Sequence, residues 1–415
     1  MSPTTSDIPI EEPRHKFRDT AKMMRLSQDN WQAVQKSGLI DLFASPDGDG
    51  HLVDHRTGHA FVNMSSYSYL GLNEHPDVIQ GGIDALTSER CTGLGITPTR
   101  IRPSLFTRVQ EELSELFGAQ CLYAASCSVA TAGLLPLVSA GALSGGEPRV
   151  TVFDKRSHFC MDYMKPACAD EAPVLIAPHN DIEFLEDICR RHSRVAYVAD
   201  GAYSMGGVAN LSEIRRLQEM YGLFVWFDDS HAISVMGSSG EGYVRSQLDE
   251  LDDLTLITAS LEKGFGCAGG VVMLKRGTDS SFINTFAGPM CWSQTPSVAN
   301  LGTVQASARL HRSPELGRLQ QRLRENMELF DRLIPTATSG SQIPVRALPV
   351  GNRDLAISIS RQLWDEGFYC APVHFPVTSR GREGLRVMVR ANIETSTMER
   401  FAVLLKELVV PHLLT

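Results

Sequence analysis

The chain is poor in positive charge: 39 Lys and Arg stand against 48 Asp and Glu, a formal net charge of −9. That sign repels nucleic acid and anionic membrane at long range. No apolar run reaches the ~20 residues that a bilayer helix needs; the most apolar stretch, 130–143, is broken by Pro136 and Ser139. The opening segment MSPTTSDIPIEEPRHKFRD lacks an apolar core and carries acids, unlike a secretory or organelle leader. A cytoplasmic protein with neither a nucleic-acid nor a membrane partner is the expectation. The nine cysteines are odd in number and form no C-x-x-C pair, which leaves neither a disulfide framework nor a zinc ribbon, and predicts reduced thiols buried as small hydrophobes. There is no P-loop, no H-E-x-x-H and no tandem repeat. What is present is 415 residues with 43% hydrophobic content, enough for two or three domains with a large core.

Residues 1 to about 45 mix charges with weak helical periodicity and predict an arm leading into a helix. From about 118 onward, short apolar runs alternate with helical patterns. The runs are Gln120–Tyr123, Val150–Phe153, Val174–Ala177, Val195–Ala199, Phe224–Phe227, Leu254–Thr258 and Val271–Leu274. Strand-length runs without polar alternation fit a sheet buried on both faces, with the intervening helices as crossovers. The prediction is an α/β fold with a large, mostly parallel sheet. After about 295, helices at Val298–His311 and Pro314–Ile334 lead to short strands around Val345–Leu348 and Leu385–Val389 and a last helix at Ser396–Leu414, which reads as a smaller α+β domain.

Ligand sites in open α/β sheets collect at the carboxyl ends of strands. The residues after the runs are polar: Ser126-Cys127, Asp154 to His158, His179-Asn180-Asp181, Asp200 to Ser204, Asp228 to His231, and Ser260 to Lys263. Singly, a strand-end Asp is often only a helix cap. Lys263 stands out because Gly264, Gly266, Gly269 and Gly270 follow it, allowing tight turns and close backbone approach. Those glycines also spell G-x-G-x-x-G, but a strand follows where a dinucleotide site needs a helix. Ser204 lacks the glycine two residues upstream that a nucleophile elbow needs. One Lys, a strand-end Asp with a His three residues on, another His and small hydroxyl-rich loops suit an aldehyde cofactor held as a Schiff base. The lysine supplies the amine, the aspartate keeps a pyridine nitrogen protonated and backbone amides hold a phosphate. Pyridoxal 5′-phosphate (PLP) meets all three needs.

From about Tyr67 to Val410 the chain resembles the α-oxoamine synthases, fold-type-I PLP enzymes that include 8-amino-7-oxononanoate synthase, glycine C-acetyltransferase and serine palmitoyltransferase. The resemblance is carried by Tyr69-Leu70-Gly71-Leu72 with His75-Pro76, by Asp154–His158, by His179-Asn180-Asp181 and by Tyr203-Ser204-Met205-x-Gly207. It continues through Leu211-x-Glu213-Ile214, Asp228-Asp229-Ser230-His231 with Gly237, Gly240 and Gly242, and Lys263-Gly264-Phe265-Gly266. It implies an aspartate-aminotransferase-like fold: an arm and helix over 1–60, a PLP-binding domain with a seven-stranded, mostly parallel sheet over 61–295, and a small domain over 296–415.

It also implies roles. Lys263 bonds the cofactor aldehyde and acts as base at the substrate Cα, Asp228 pairs with the pyridine nitrogen, His231 bonds the phenolic oxygen and His158 stacks on the ring. Ser126, Cys127, Ser204 and Ser260 join them in holding the cofactor, with Ser293 lent by the other subunit of a homodimer with shared active sites. Arg386 takes the amino-acid carboxylate, with Tyr67 beside it. The implied reaction condenses an amino acid with an acyl-CoA or acyl-carrier thioester into an α-amino ketone, with carbon dioxide usually lost; a decarboxylase, aldolase or aminotransferase on the same fold is the alternative.

The sequence departs from the family where substrates are recognised. Tyr67-Ser68 replaces an Asn, Gly93–Arg100 replaces a G-S-G-G-S-R loop, Phe106 replaces a His, Ala130 an Asn and Asn392 a His. A specialised-metabolite synthase is therefore expected. Arg100, Arg102 and Arg108 form a basic cluster suited to a thioester phosphate, or simply a solvated face.

Overall fold

A computed structural model describes residues 17–48, 50–95 and 97–414. Residues 1–16 of the expected arm, and Ile96 in the loop 93–100, lie outside them. Seven strands form one sheet, in spatial order Gln120–Ala124, Gly270–Leu274, Thr255–Ser260, Phe224–Asp228, Val195–Asp200, Val150–Asp154 and Val174–Ala177. All pairs are parallel except those of Gly270–Leu274, which runs antiparallel to both neighbours. This is the α/β sheet that the alternating runs predict, in the seven-stranded, mostly parallel form that the resemblance implies.

The runs form central strands because both faces are covered. All six residues of Val195–Asp200 are buried; Val195, Tyr197 and Ala199 join one hydrophobic core while Ala196 and Val198 join the opposite one, as the two-residue period of a strand requires. The crossover helices carry their own signals. Ile182–Arg191 starts at Asp181, whose carboxylate accepts the Phe184 N–H at 2.9 Å, and ends with Arg190 and Arg191 in the last turn. Leu211–Tyr221 is capped by Asn210 and stops at Gly222, whose φ of 66° is left-handed.

A separate core lies under the C-terminal sheet of Val345–Pro349, Gly384–Met388 and Pro372–Val373. Residues Val62 to Leu72 contribute to it, whereas the helix Val298–His311 contributes Val298, Leu301, Val304 and Ala308 to the core of the large sheet. That helix presses on Pro76–Glu89 through Gly81 and Gly302: a Cβ on Gly302 would lie 2.3 Å from the Gly81 carbonyl oxygen. A second sheet not foreseen in the sequence joins Ala44–Pro46, Leu52–Asp54 and Ala60–Asn63 to Phe368–Tyr369. Segments of two to four residues are too short to show a period. Among the described residues no helix is long and apolar enough to cross a membrane.

An ion pair ties the C-terminal sheet to the helix Pro314–Leu333. Arg346, fully buried, donates from Nε and Nη2 to the two oxygens of Asp331 at 2.7 and 2.8 Å, and from Nη1 to the Ile343 carbonyl at 2.6 Å. Removing the acid strands a buried guanidinium. Asp331→Ala is expected to cost about 3 kcal/mol, read from the urea unfolding midpoint; an unchanged midpoint would show the pair to be energetically idle.

Candidate active site

The central strand Phe224–Asp228 ends on Asp228, 4% exposed. Its Oδ1 accepts the Ser230 N–H at 3.0 Å, and its Oδ2 faces the thiols of Cys127 at 3.8 Å and Cys160 at 3.9 Å. Among the described residues no Lys, Arg or His forms an ion pair with it. A buried carboxylate without a cation is costly. The neighbouring strand ends in register on Asp200, which accepts the His158 main-chain N–H at 2.8 Å. Burial, followed by the charge of Asp228, holds the Asp200 carboxyl well above the usual range.

His231 lies three residues past Asp228 because the chain turns there: the Ala232 and Ile233 N–H groups bond back to the Asp229 carbonyl. The ring is buried, and its Nδ1 lies 2.7 Å from the Tyr69 hydroxyl. Burial, then the charges of Lys263 and Arg386, push the His231 pKa well below the usual imidazole value, so the ring is neutral. In the tautomer whose Nδ1 accepts from the Tyr69 hydroxyl, Nε2 carries the N–H and is a donor. His158 is half-buried, accepts the Cys160 N–H at Nδ1 and has its pKa lowered, first by burial.

Lys263 follows the strand Thr255–Ser260 in a turn closed by the Gly266 N–H on the Lys263 carbonyl at 3.2 Å. Its Nζ lies 5.9 Å from the centre of the Tyr67 ring, and among the described residues no acceptor lies within hydrogen-bond distance of it. Arg386 reaches over from the C-terminal sheet, donating to the Tyr67 hydroxyl at 2.8 Å and the Ser204 carbonyl at 3.3 Å. Ser204 thus meets the cluster through its main chain. Ser126 caps the helix Cys127–Ser139 by accepting the Val129 N–H at 3.1 Å. The helix start is packed so closely on Gly270 that a Cβ there would lie 2.4 Å from the Cys127 nitrogen. The Ser260 N–H donates to the Ser230 hydroxyl at 2.7 Å, tying its strand to the segment that carries His231. No side-chain hydrogen bond or ring contact joins Ser293 to these groups among the described residues. The motif residue His179 bonds the Asp154 carboxylate at 3.1 Å and meets Tyr203 edge-on, so it acts as a clasp between loops.

A family model for aminotransferase class I and II matches residues 169–405, more than half of the chain. The chain belongs to that family. It is similar to the 8-amino-7-oxononanoate synthase of Geobacter sulfurreducens, with 28% identity over 83% of this chain and 87% of that one. It is also similar to a serine palmitoyltransferase of Bacteriovorax stolpii, with 27% identity over 81% and 79% of the two chains. Its fold matches a solved serine palmitoyltransferase of S. paucimobilis bound to a PLP–myriocin adduct, with a TM-score of 0.81, 19% identity and coverage of 94% and 98%.

The departures from the family pattern are accommodated by packing. Phe106 is buried 6.1 Å from the Tyr123 ring, with the Arg102 guanidinium 5.8 Å from its centre. Ala130 is fully buried, and the Asn392 amide bonds Glu74 at 3.4 Å. Arg108 is committed to Glu89 at 3.2 Å. Sequence reasoning quoted Tyr69 only as a motif letter and did not single out Cys160; the segment Ser157-His158-Phe159-Cys160 was the available signal.

Asp229, beside Asp228, is fully buried and accepts the Val244 N–H at 2.9 Å, while its Oδ1 has no partner. Burial pushes its pKa up to about 7 from 3.8. The folded chain therefore holds a proton that the unfolded chain releases, and the associated stability is lost as pH rises through this interval. Between pH 5 and 8 the parent should lose about 2 kcal/mol of stability that Asp229→Asn does not lose. Parallel pH profiles for the two proteins would contradict this.

Proposed function

We propose that this chain is a PLP-dependent C-acyltransferase of the α-oxoamine synthase kind, joining an amino acid to an acyl thioester to give an α-amino ketone. The observation that carries the reading is the buried Asp228 carboxylate at the end of the central strand, with no cationic side chain paired to it and no acceptor on the Lys263 amine among the described residues, and a cradled helix N-terminus in the same strand-end region. A pyridinium nitrogen supplies the cation that Asp228 lacks. The opening N–H groups of Cys127–Ser139 have no intrahelical acceptor and suit a phosphate, and Gly270 lets that helix start pack directly against the sheet. The names of the relatives, an 8-amino-7-oxononanoate synthase and a serine palmitoyltransferase, support the same reaction.

Bound there, PLP supplies an aldehyde for amines and an electron sink for negative charge developing at the substrate Cα. Lys263 holds the cofactor and then takes the Cα proton at Nζ. Asp228 keeps a proton on the ring nitrogen by its charge. His231, fixed by Tyr69, donates from Nε2 to the phenolic oxygen, and His158 covers the ring face. Ser126, Cys127, Ser204 and Ser260 complete the cofactor's surroundings. Arg386 offers the bidentate fork that a carboxylate needs, with Tyr67 as the group it must share or release.

The reading includes a homodimer in which Ser293 of one subunit completes the phosphate site of the other. Leu94, Ile101, Phe286 and Trp292 are large apolar side chains left exposed on segments joined by the Thr295 hydroxyl and the Gly95 carbonyl, which supports a covering partner. The altered substrate walls, Tyr67 and Phe106 above all, favour an uncommon amino acid or acyl donor.

Added PLP should give a visible absorption band that is absent in Lys263→Ala, together with loss of turnover. A mass-spectrometric screen of amino acids against acyl-CoAs should then reveal a condensation product; amine or oxo-acid formation without one would replace this reading by another reaction at Cα. Arg386→Lys loses the fork and should raise the amino-acid KM roughly 10- to 100-fold, as for a lost hydrogen bond to charge, while the thioester KM stays within about twofold. Equal rises in both would remove Arg386 from the carboxylate subsite.

A further inference from the structure

Two thiols and an imidazole crowd the carboxylate on which the proposed cofactor depends. Cys127 Sγ and Cys160 Sγ lie 3.8 and 3.9 Å from the same oxygen, Asp228 Oδ2. His158 Nδ1 lies 3.1 Å from Cys160 Sγ. One donor atom each from His158, Cys160 and Asp228 falls within 4.8 Å of the others. On a tetrahedral zinc, with metal bonds of about 2.0–2.3 Å, neighbouring donor atoms sit about 3.3–3.8 Å apart. His158, Cys160 and Asp228 therefore stand close to coordination spacing before any metal arrives, and Cys127 meets the same carboxylate oxygen.

They are also held there. Asp228 Oδ1 is tied to the Ser230 N–H and the His158 main chain to Asp200. Thr131 Oγ1, itself bonded to the Cys127 carbonyl, lies 3.8 Å from Cys160 Sγ. Supporting contacts of this kind orient ligands in metal sites. Cys127, Cys160 and Asp228 are buried, and the donor set of two thiols, one imidazole and one carboxylate suits a thiophilic divalent ion; magnesium or calcium would want oxygen donors.

We propose that the cofactor-free chain binds a divalent cation of the zinc class through His158, Cys160, Asp228 and Cys127, and that this cation and PLP exclude one another. The exclusion rests on the reading above, in which Asp228 and His158 hold the cofactor ring; the metal site itself does not. Binding replaces the two thiol protons, which leave to solvent, and no electron transfer is involved.

The test uses the full chain stripped of cofactor and titrated with cobalt(II) chloride. One equivalent should produce thiolate-to-cobalt charge-transfer absorption in the near ultraviolet and tetrahedral bands in the visible. Both should be lost in Cys160→Ser and in Cys160→Ala at equimolar cobalt, with far-ultraviolet circular dichroism as the check that each variant is folded. One equivalent of zinc added before PLP should suppress the PLP absorption band, and EDTA should restore it. Absence of charge-transfer absorption in the parent, or undiminished bands in both folded variants, would overturn the site. Bands that persist while PLP binds in full would overturn the exclusion. Failure of PLP to bind the metal-free parent would instead defeat the proposed function and leave the cobalt result standing.

Discussion

A buried carboxylate, with no cationic side chain paired to it among the described residues, organises this molecule. Asp228 is brought to the end of a central strand by a run of apolar residues that must be covered on both faces, so its burial follows from the sheet. An isolated charge in such a place is costly, and the groups around it limit the cost. Ser230 donates a main-chain N–H and two thiols turn toward the second oxygen. The adjacent Asp200 has its pKa raised, first by burial and then by Asp228. A pyridinium nitrogen is the partner that such an arrangement favours.

The remaining groups come from separate layers. His231 follows the central strand and is oriented by Tyr69, which belongs to the C-terminal core although it lies early in the chain. Arg386 comes from the C-terminal sheet and meets Tyr67 and the loop after Val195–Asp200. The proposed carboxylate subsite thus lies where two hydrophobic cores meet.

Much of the fold was legible because its elements are long and their periods clear. Val298–His311 and Pro314–Leu333 run as the spacing predicts, within a residue, and each of the seven strand-length runs after residue 118 forms a strand, several extended by a residue or two. The N-terminal sheet and its pairing with Phe368–Tyr369 were not legible, since that pairing joins residues some three hundred positions apart through two-residue contact. In the candidate site, Lys263, Asp228 and His231 were visible as strand-end polar groups. The roles of Tyr69 and Cys160 were not, because a buried hydroxyl or thiol beside apolar neighbours looks like ordinary core.

The sequence by itself determined the covered parallel sheet, the polar residues at its carboxyl ends and the glycines after Lys263, since apolar periodicity and backbone freedom are local properties written in neighbouring residues. Only the tertiary structure decided that no cationic side chain among the described residues pairs with Asp228, that Tyr69 bonds the His231 ring and that Cys127 and Cys160 converge on one oxygen. Each of those facts depends on which distant side chains share a few ångströms of low-dielectric space, and that is settled by packing.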